Sequence, residues 1–78
     1  MSAKNKHPKE HLIHDECYIE ICLANETVFD DEYDVIIRDE VTGLEVLSER
    51  EPDFDWAWQT AEYFSEKHNL KIVDKLPY

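Results

Sequence analysis

Apolar and polar side chains alternate along CYIEICLA, Cys17 to Ala24. Cys17, Ile19, Ile21 and Leu23 fall on one side, and Tyr18, Glu20 and Cys22 on the other. Period-two alternation with β-branched residues marks a half-buried strand. Asn25 and Glu26 suit a turn, and TVFDDEYD after them reads as a strand end or an acidic loop. Two further strands follow with a definite register. YDVIIRD enters a four-residue loop, Glu40-Val41-Thr42-Gly43, and LEVLSE leaves it, with Gly43 where a positive φ is needed. Asp39 then faces Leu44, Arg38 faces Glu45, Ile37 faces Val46 and Ile36 faces Leu47, which sets opposite charges and apolar neighbours side by side. This register predicts a core face of Tyr33, Val35, Ile37, Leu44 and Val46, and a one-residue slip would mix the faces.

Between Pro52 and Asn69 the period becomes helical. Asp53 is the natural N-cap, and Asp55 suits the positive end of the helix. Phe54, Ala57, Trp58, Ala61, Phe64 and Ser65 share one stripe, with His68 at its end, while Trp56 and Tyr63 lie nearly opposite it. Asn69 fits the left-handed terminal position, and Leu70 the apolar contact beyond it. A last short strand is expected from Leu70 to Asp74, with pairing stopped by Pro77. Residues 1–15 lack periodicity and are read as a flexible, basic, His-rich arm with one helical turn after Pro8, pinned by Leu12 and Ile13. Residues 16–78 form one small acidic domain. The order β-β-β-α-β predicts an α+β fold, an antiparallel sheet of three to four strands with one face on a single helix.

Charge narrows the functions this fold can serve. The chain of 78 residues carries 19 Asp and Glu against 8 Lys and Arg, a net −11. Over residues 1–14 Lys4, Lys6 and Lys9 stand against Glu10 alone, so the rest of the chain is more acidic still. Such a field repels phosphate backbones, which argues against direct nucleic-acid binding, and it attracts basic protein surfaces. No apolar run reaches the roughly 18 residues of a membrane span, and no signal peptide is visible. Cys17 and Cys22 lie in one strand about 16 Å apart at about 3.3 Å per residue, against the limit of about 7 Å for a disulfide. Free thiols point to a reducing cytoplasm. At this length a deep cleft is hard to enclose, and no enzyme activity or cofactor is expected.

Several constellations remain as candidate chemistry. His7, His11, His14, Cys17 and Cys22 fall within a short span, and a zinc site would draw on His11, His14 and Cys17, although no second ligand pair matches them. Glu26, Asp30, Asp31, Glu32 and Asp34 form one acidic group, and Glu49, Glu51, Asp53 and Asp55 another. Neither has the spacing or central glycine of a calcium loop. Carboxylates on a rigid scaffold can instead occupy a Lys/Arg groove built for phosphates. In size, charge and mixture of strand and helix the chain resembles small acidic nucleic-acid mimics, among them phage-encoded inhibitors of restriction, repair and CRISPR enzymes. The resemblance implies an anti-CRISPR-like phage or mobile-element inhibitor that masks the basic surface of a larger protein. Trp56 and Tyr63 are the expected partner anchors, with Asp30, Asp31, Glu32, Asp34, Glu49, Glu51 and Asp55 as the charged contacts. Tyr18, Ile36 and Leu47 form a second expected apolar patch, on the far face of the sheet. It would suit the alternatives, a small homodimer or an antitoxin-like regulatory subunit.

Overall fold

The computed structural model describes residues 8–26 and 31–76. A 3-10 turn at Glu10–Leu12 precedes strands β1 (Cys17–Glu26), β2 (Asp31–Asp39) and β3 (Glu45–Glu51), helix α1 (Phe54–His68) and strand β4 (Ile72–Asp74). The strands form one sheet in the order β3-β2-β1-β4, and α1 packs against all four, so the expected α+β class and element order hold. β1–β2 and β2–β3 are antiparallel, but β4 runs parallel to β1, which makes the sheet mixed. The connection explains this. β3 and β1 point the same way, and α1 carries the chain back across the sheet to its other edge, as a parallel crossover requires.

The hairpin closes as its sequence predicts. Gly43 has φ 77°. The Asp39 N–H donates to the Leu44 carbonyl at 2.9 Å, and the Gly43 N–H to the Asp39 carbonyl at 2.7 Å. Arg38 faces Glu45, and then a bulge at Val46 shifts the ladder so that Ile37 faces Leu47, Ile36 faces Ser48 and Asp34 faces Arg50. Continuing the expected register would have set Asp34 against Glu49, two like charges directly opposed. The bulge replaces that clash with an Asp34–Arg50 pair and swings the larger Leu47 inward. Leu47 is accordingly 1% exposed in the core, a correction to its place on the far face, while Leu44, expected inside, is 69% exposed.

The core joins Ile19, Ile21, Val35, Ile37 and Leu47 of the sheet to Ala57, Ala61 and Phe64 of α1, with Cys17, Tyr33 and Leu70 at its margins. Each fully buried Ile or Leu contributes about 1.5–3 kcal/mol. The helix ends follow their sequence signals. Asp53 accepts from the Trp56 N–H at 2.8 Å, Asn69 is left-handed at φ 58°, and the Leu70 N–H donates to the Ser65 carbonyl at 3.1 Å. The buried stripe is rotated from the expected one, and Thr60 belongs to it whereas Phe54 does not. The Thr60 hydroxyl donates to the buried Glu51 carboxylate at 2.8 Å, which holds that side of the helix down on β3. Phe54 is 40% exposed as a result, and Trp58 is half-buried.

Candidate functional site

Three regions hold the candidate residues, and they differ in how their charges are partnered. The first is the sheet face turned away from α1. Tyr18, Glu20 and Cys22 of β1 lie there with Asp34, Ile36 and Arg38 of β2, and Glu45, Ser48 and Arg50 of β3 join them. Arg38 Nε donates to Glu20 at 3.0 Å, and Arg50 Nε to Asp34 at 2.9 Å with a longer 3.4 Å contact to Glu32. The hydrogen bonds to Glu20 and Asp34 raise both guanidinium pKa values. Ile36 lies between these pairs and is 7% exposed, a fit for arginine stems that cover apolar surface while keeping their charge in water. Glu32 and Asp34, expected to meet a partner, instead share Arg50 within the chain, which offsets one of their two charges. With Leu47 in the core, the patch of Tyr18, Ile36 and Leu47 does not exist as one surface.

The second region is the C-terminal end of α1, where the described part of the arm docks. Glu10 is 3% exposed. Its Oε2 accepts from Lys67 Nζ and from His68 Nε2, each at 2.9 Å, and lies 3.4 Å from the Tyr63 hydroxyl. Oε1 is buried with no partner. Burial favours the neutral carboxyl, but the hydrogen bonds and charges of Lys67 and His68 outweigh it and bring Glu10 down to about 2. Ile13 packs on the core cluster beside this clamp. Tyr63, expected as an outward anchor, packs there too, edge-on to Phe64 at 5.1 Å, with Lys67 Nζ 3.2 Å from its hydroxyl. Residues 8–13 fall inside the expected arm, and the clamp explains why they lie on the domain.

The third region is the outward side of α1 from its first turn onward. Asp55, Gln59, Glu62 and Glu66 are exposed there. From Glu51 to Ser65 the chain has four carboxylates and no Lys, Arg or His. Among the described residues no Lys or Arg pairs with Asp53, Asp55, Glu62 or Glu66. Phe54 stacks on Trp58 one turn later, with centroids 6.0 Å apart, and meets the Tyr33 ring edge-on at 5.9 Å. The Trp58 indole N–H donates to Glu62 Oε2 at 3.0 Å. Trp56, the other expected anchor, is half-buried and outside the core cluster. Of the two rings expected inward, Trp58 packs half-buried against the core cluster, whereas Phe54 is exposed. Thr60, a polar residue three after Ala57, completes the narrower buried stripe that leaves Phe54 out.

The remaining acidic candidates are dispersed. Asp30 lies outside the described residues, Asp31 opens β2, Glu49 is half-buried on the helix side, and Glu51 is buried. The zinc candidates do not converge. The His11 Nδ1 is 3.1 Å from the Pro8 carbonyl, and Cys17 is in the core. His14 accepts from the Glu16 N–H at Nδ1, so its proton sits on Nε2, which donates to Asp39 at 3.0 Å. Among the described residues no three His, Cys, Asp or Glu side chains gather as metal ligands would. Burial first, then Glu20 and Asp34, raise the Cys22 thiol pKa, the reverse of an activated nucleophile. No helix among the described residues is long and apolar enough to cross a membrane. No protein-family model, curated protein or solved structure matches the chain.

Proposed function

We propose that this protein is a non-enzymatic binding module that masks a basic surface on a larger protein, with the outward side of α1 as its contact. Its most concrete form is an anti-CRISPR-like phage or mobile-element inhibitor, acting in the cytoplasm and presenting carboxylates where a host nucleic-acid enzyme expects phosphates. One observation carries this reading. Glu20 and Asp34 on the open sheet face already hold arginines of the chain itself, whereas Asp55, Glu62 and Glu66 on the helix hold no Lys or Arg among the described residues. A carboxylate with an internal partner has spent much of its attraction, and an unpartnered one retains it for an incoming charge. The exposed Phe54, in the same turn as Asp55, supplies apolar area to desolvate on contact. Homodimerisation through the open sheet face has weaker support, since Leu47 is in the core and Ile36 is enclosed between ion pairs.

The test is affinity capture from a lysate of the source organism, using the wild type and an Asp55→Asn/Glu62→Gln/Glu66→Gln variant across a salt series. The expected catch is a basic nucleic-acid-binding protein. It should be held at low salt, released as the screening length falls from about 10 Å at 0.1 M toward about 3 Å at 1 M, and lost with the triple variant. A catch indifferent to both salt and variant contradicts the reading.

A further inference from the structure

The aromatic pair at the start of α1 has a geometry that acidity alone does not explain. Phe54 and Trp58 lie one turn apart with centroids 6.0 Å apart, too far for their faces to overlap fully, and Tyr33 meets Phe54 at a steep angle at 5.9 Å, so Phe54 is braced by both rings and still 40% exposed. The indole N–H of Trp58 fixes the Glu62 carboxylate beside the aromatic pair. Asp55 follows Phe54 in the same turn and is exposed. Aromatic faces carry negative electrostatic potential and attract cations. A braced ring with carboxylates at its border therefore suits one kind of guest, a cation that is flat and can also hydrogen-bond.

We propose that Phe54, Trp58, Glu62 and Asp55 form a receptor for an arginine side chain of the partner. The guanidinium lies along the exposed Phe54 ring, and its N–H groups reach Glu62 and Asp55. Arginine fits better than lysine, because its planar fork stacks on a ring and donates to a carboxylate at the same time, whereas an ammonium does one at the expense of its hydration. The inference rests on the helix side being the contact surface, and it names the group that surface receives. It also explains why an aromatic cluster at the helix start stays partly open while Tyr63 at the other end is closed by Glu10.

The probes are blocked tri-arginine, tri-lysine and tri-citrulline peptides, titrated into the full chain and followed by the backbone and indole N–H signals in NMR. Citrulline keeps the shape of arginine without its charge. The expected result is a saturable shift of the Trp58 indole with tri-arginine, weaker with tri-lysine and absent with tri-citrulline. Phe54→Leu, which keeps an apolar side chain but removes the ring face, should weaken tri-arginine binding by about two- to thirtyfold, and Glu62→Gln should weaken it as well. If tri-arginine shifts only the Asp55, Glu62 and Glu66 amides, equals tri-lysine and ignores Phe54→Leu, the acidic surface stands and the arginine receptor is overturned. If no peptide shifts any residue of α1, the receptor and the binding reading fall together.

Discussion

The open sheet face and the outward side of α1 are built from similar residues but differ in balance. On the sheet, Arg38 and Arg50 span Glu20 and Asp34 and flank Ile36, so charge there contributes to holding the strands. On the helix, Asp55, Glu62 and Glu66 face solvent with no Lys or Arg partner among the described residues, and Phe54, beside Asp55, is 40% exposed. The net −11 is therefore a poor guide to where attraction resides. Pairing, more than the count of carboxylates, separates a structural surface from one able to take a partner.

The largest expected effect separates two residues once assigned to one patch. Leu47→Ala should cost about 2–5 kcal/mol in denaturant unfolding, because it opens a cavity in the closed core. Ile36→Ala should cost less than half as much, since the flexible arginine stems beside it can settle into the space. Equal costs would mean that the open face is packed as tightly as the core. Next, Arg38→Ala should destabilise by about 1 kcal/mol by freeing Glu20 and uncovering Ile36. Asp55→Asn should change stability by no more than about 0.5 kcal/mol, while removing one charge from the proposed contact. A stability loss at Asp55 as large as that at Arg38 would erase the distinction between the two faces.

Acid should sharpen the contrast at the helix C-terminus. The fold lowers Glu10 from 4.5 to about 2 by pairing it with Lys67 and His68. A depressed carboxyl contributes its full share of stability above its unfolded value and loses it as pH falls toward the folded one. Residues 8–13 should therefore loosen from α1 between about pH 4.5 and 2, seen as faster amide exchange at Leu12 and Ile13 before the β1–β2 amides lose protection. Glu10→Gln should remove that acid step and loosen the segment already at neutral pH.

Much of this fold was legible in the chain. Asp53, Asn69 and Gly43 each occupy the backbone position their chemistry favours, because caps and turns depend on neighbours in sequence. The bulge at Val46 was less accessible, since it is decided across strands, where Asp34 meets Arg50 instead of Glu49. Glu10 was read with the arm because its partners lie 57 and 58 residues away in sequence, and no local pattern announces such a pairing. The buried stripe that leaves Phe54 out takes in Thr60, whose bond to Glu51 is formed across the fold rather than along the helix. The acidity of the helix was visible from the start, but its lack of internal partners became visible only once Arg38 and Arg50 were placed on the opposite face.

In the proposed binding mode, the location and pairing of the carboxylates matter more than their number. Two variants remove three negative charges each, Asp55→Asn/Glu62→Gln/Glu66→Gln on the helix and Glu20→Gln/Glu32→Gln/Asp34→Asn among the acids paired with Arg38 and Arg50. Their affinities for one polyarginine peptide would be measured by calorimetry over a salt series, after confirming that each variant is folded. The account predicts that the helix variant loses most of the affinity and flattens the salt dependence, while the sheet variant binds nearly as the wild type does. Equal losses in both, or a larger loss in the sheet variant, would contradict it.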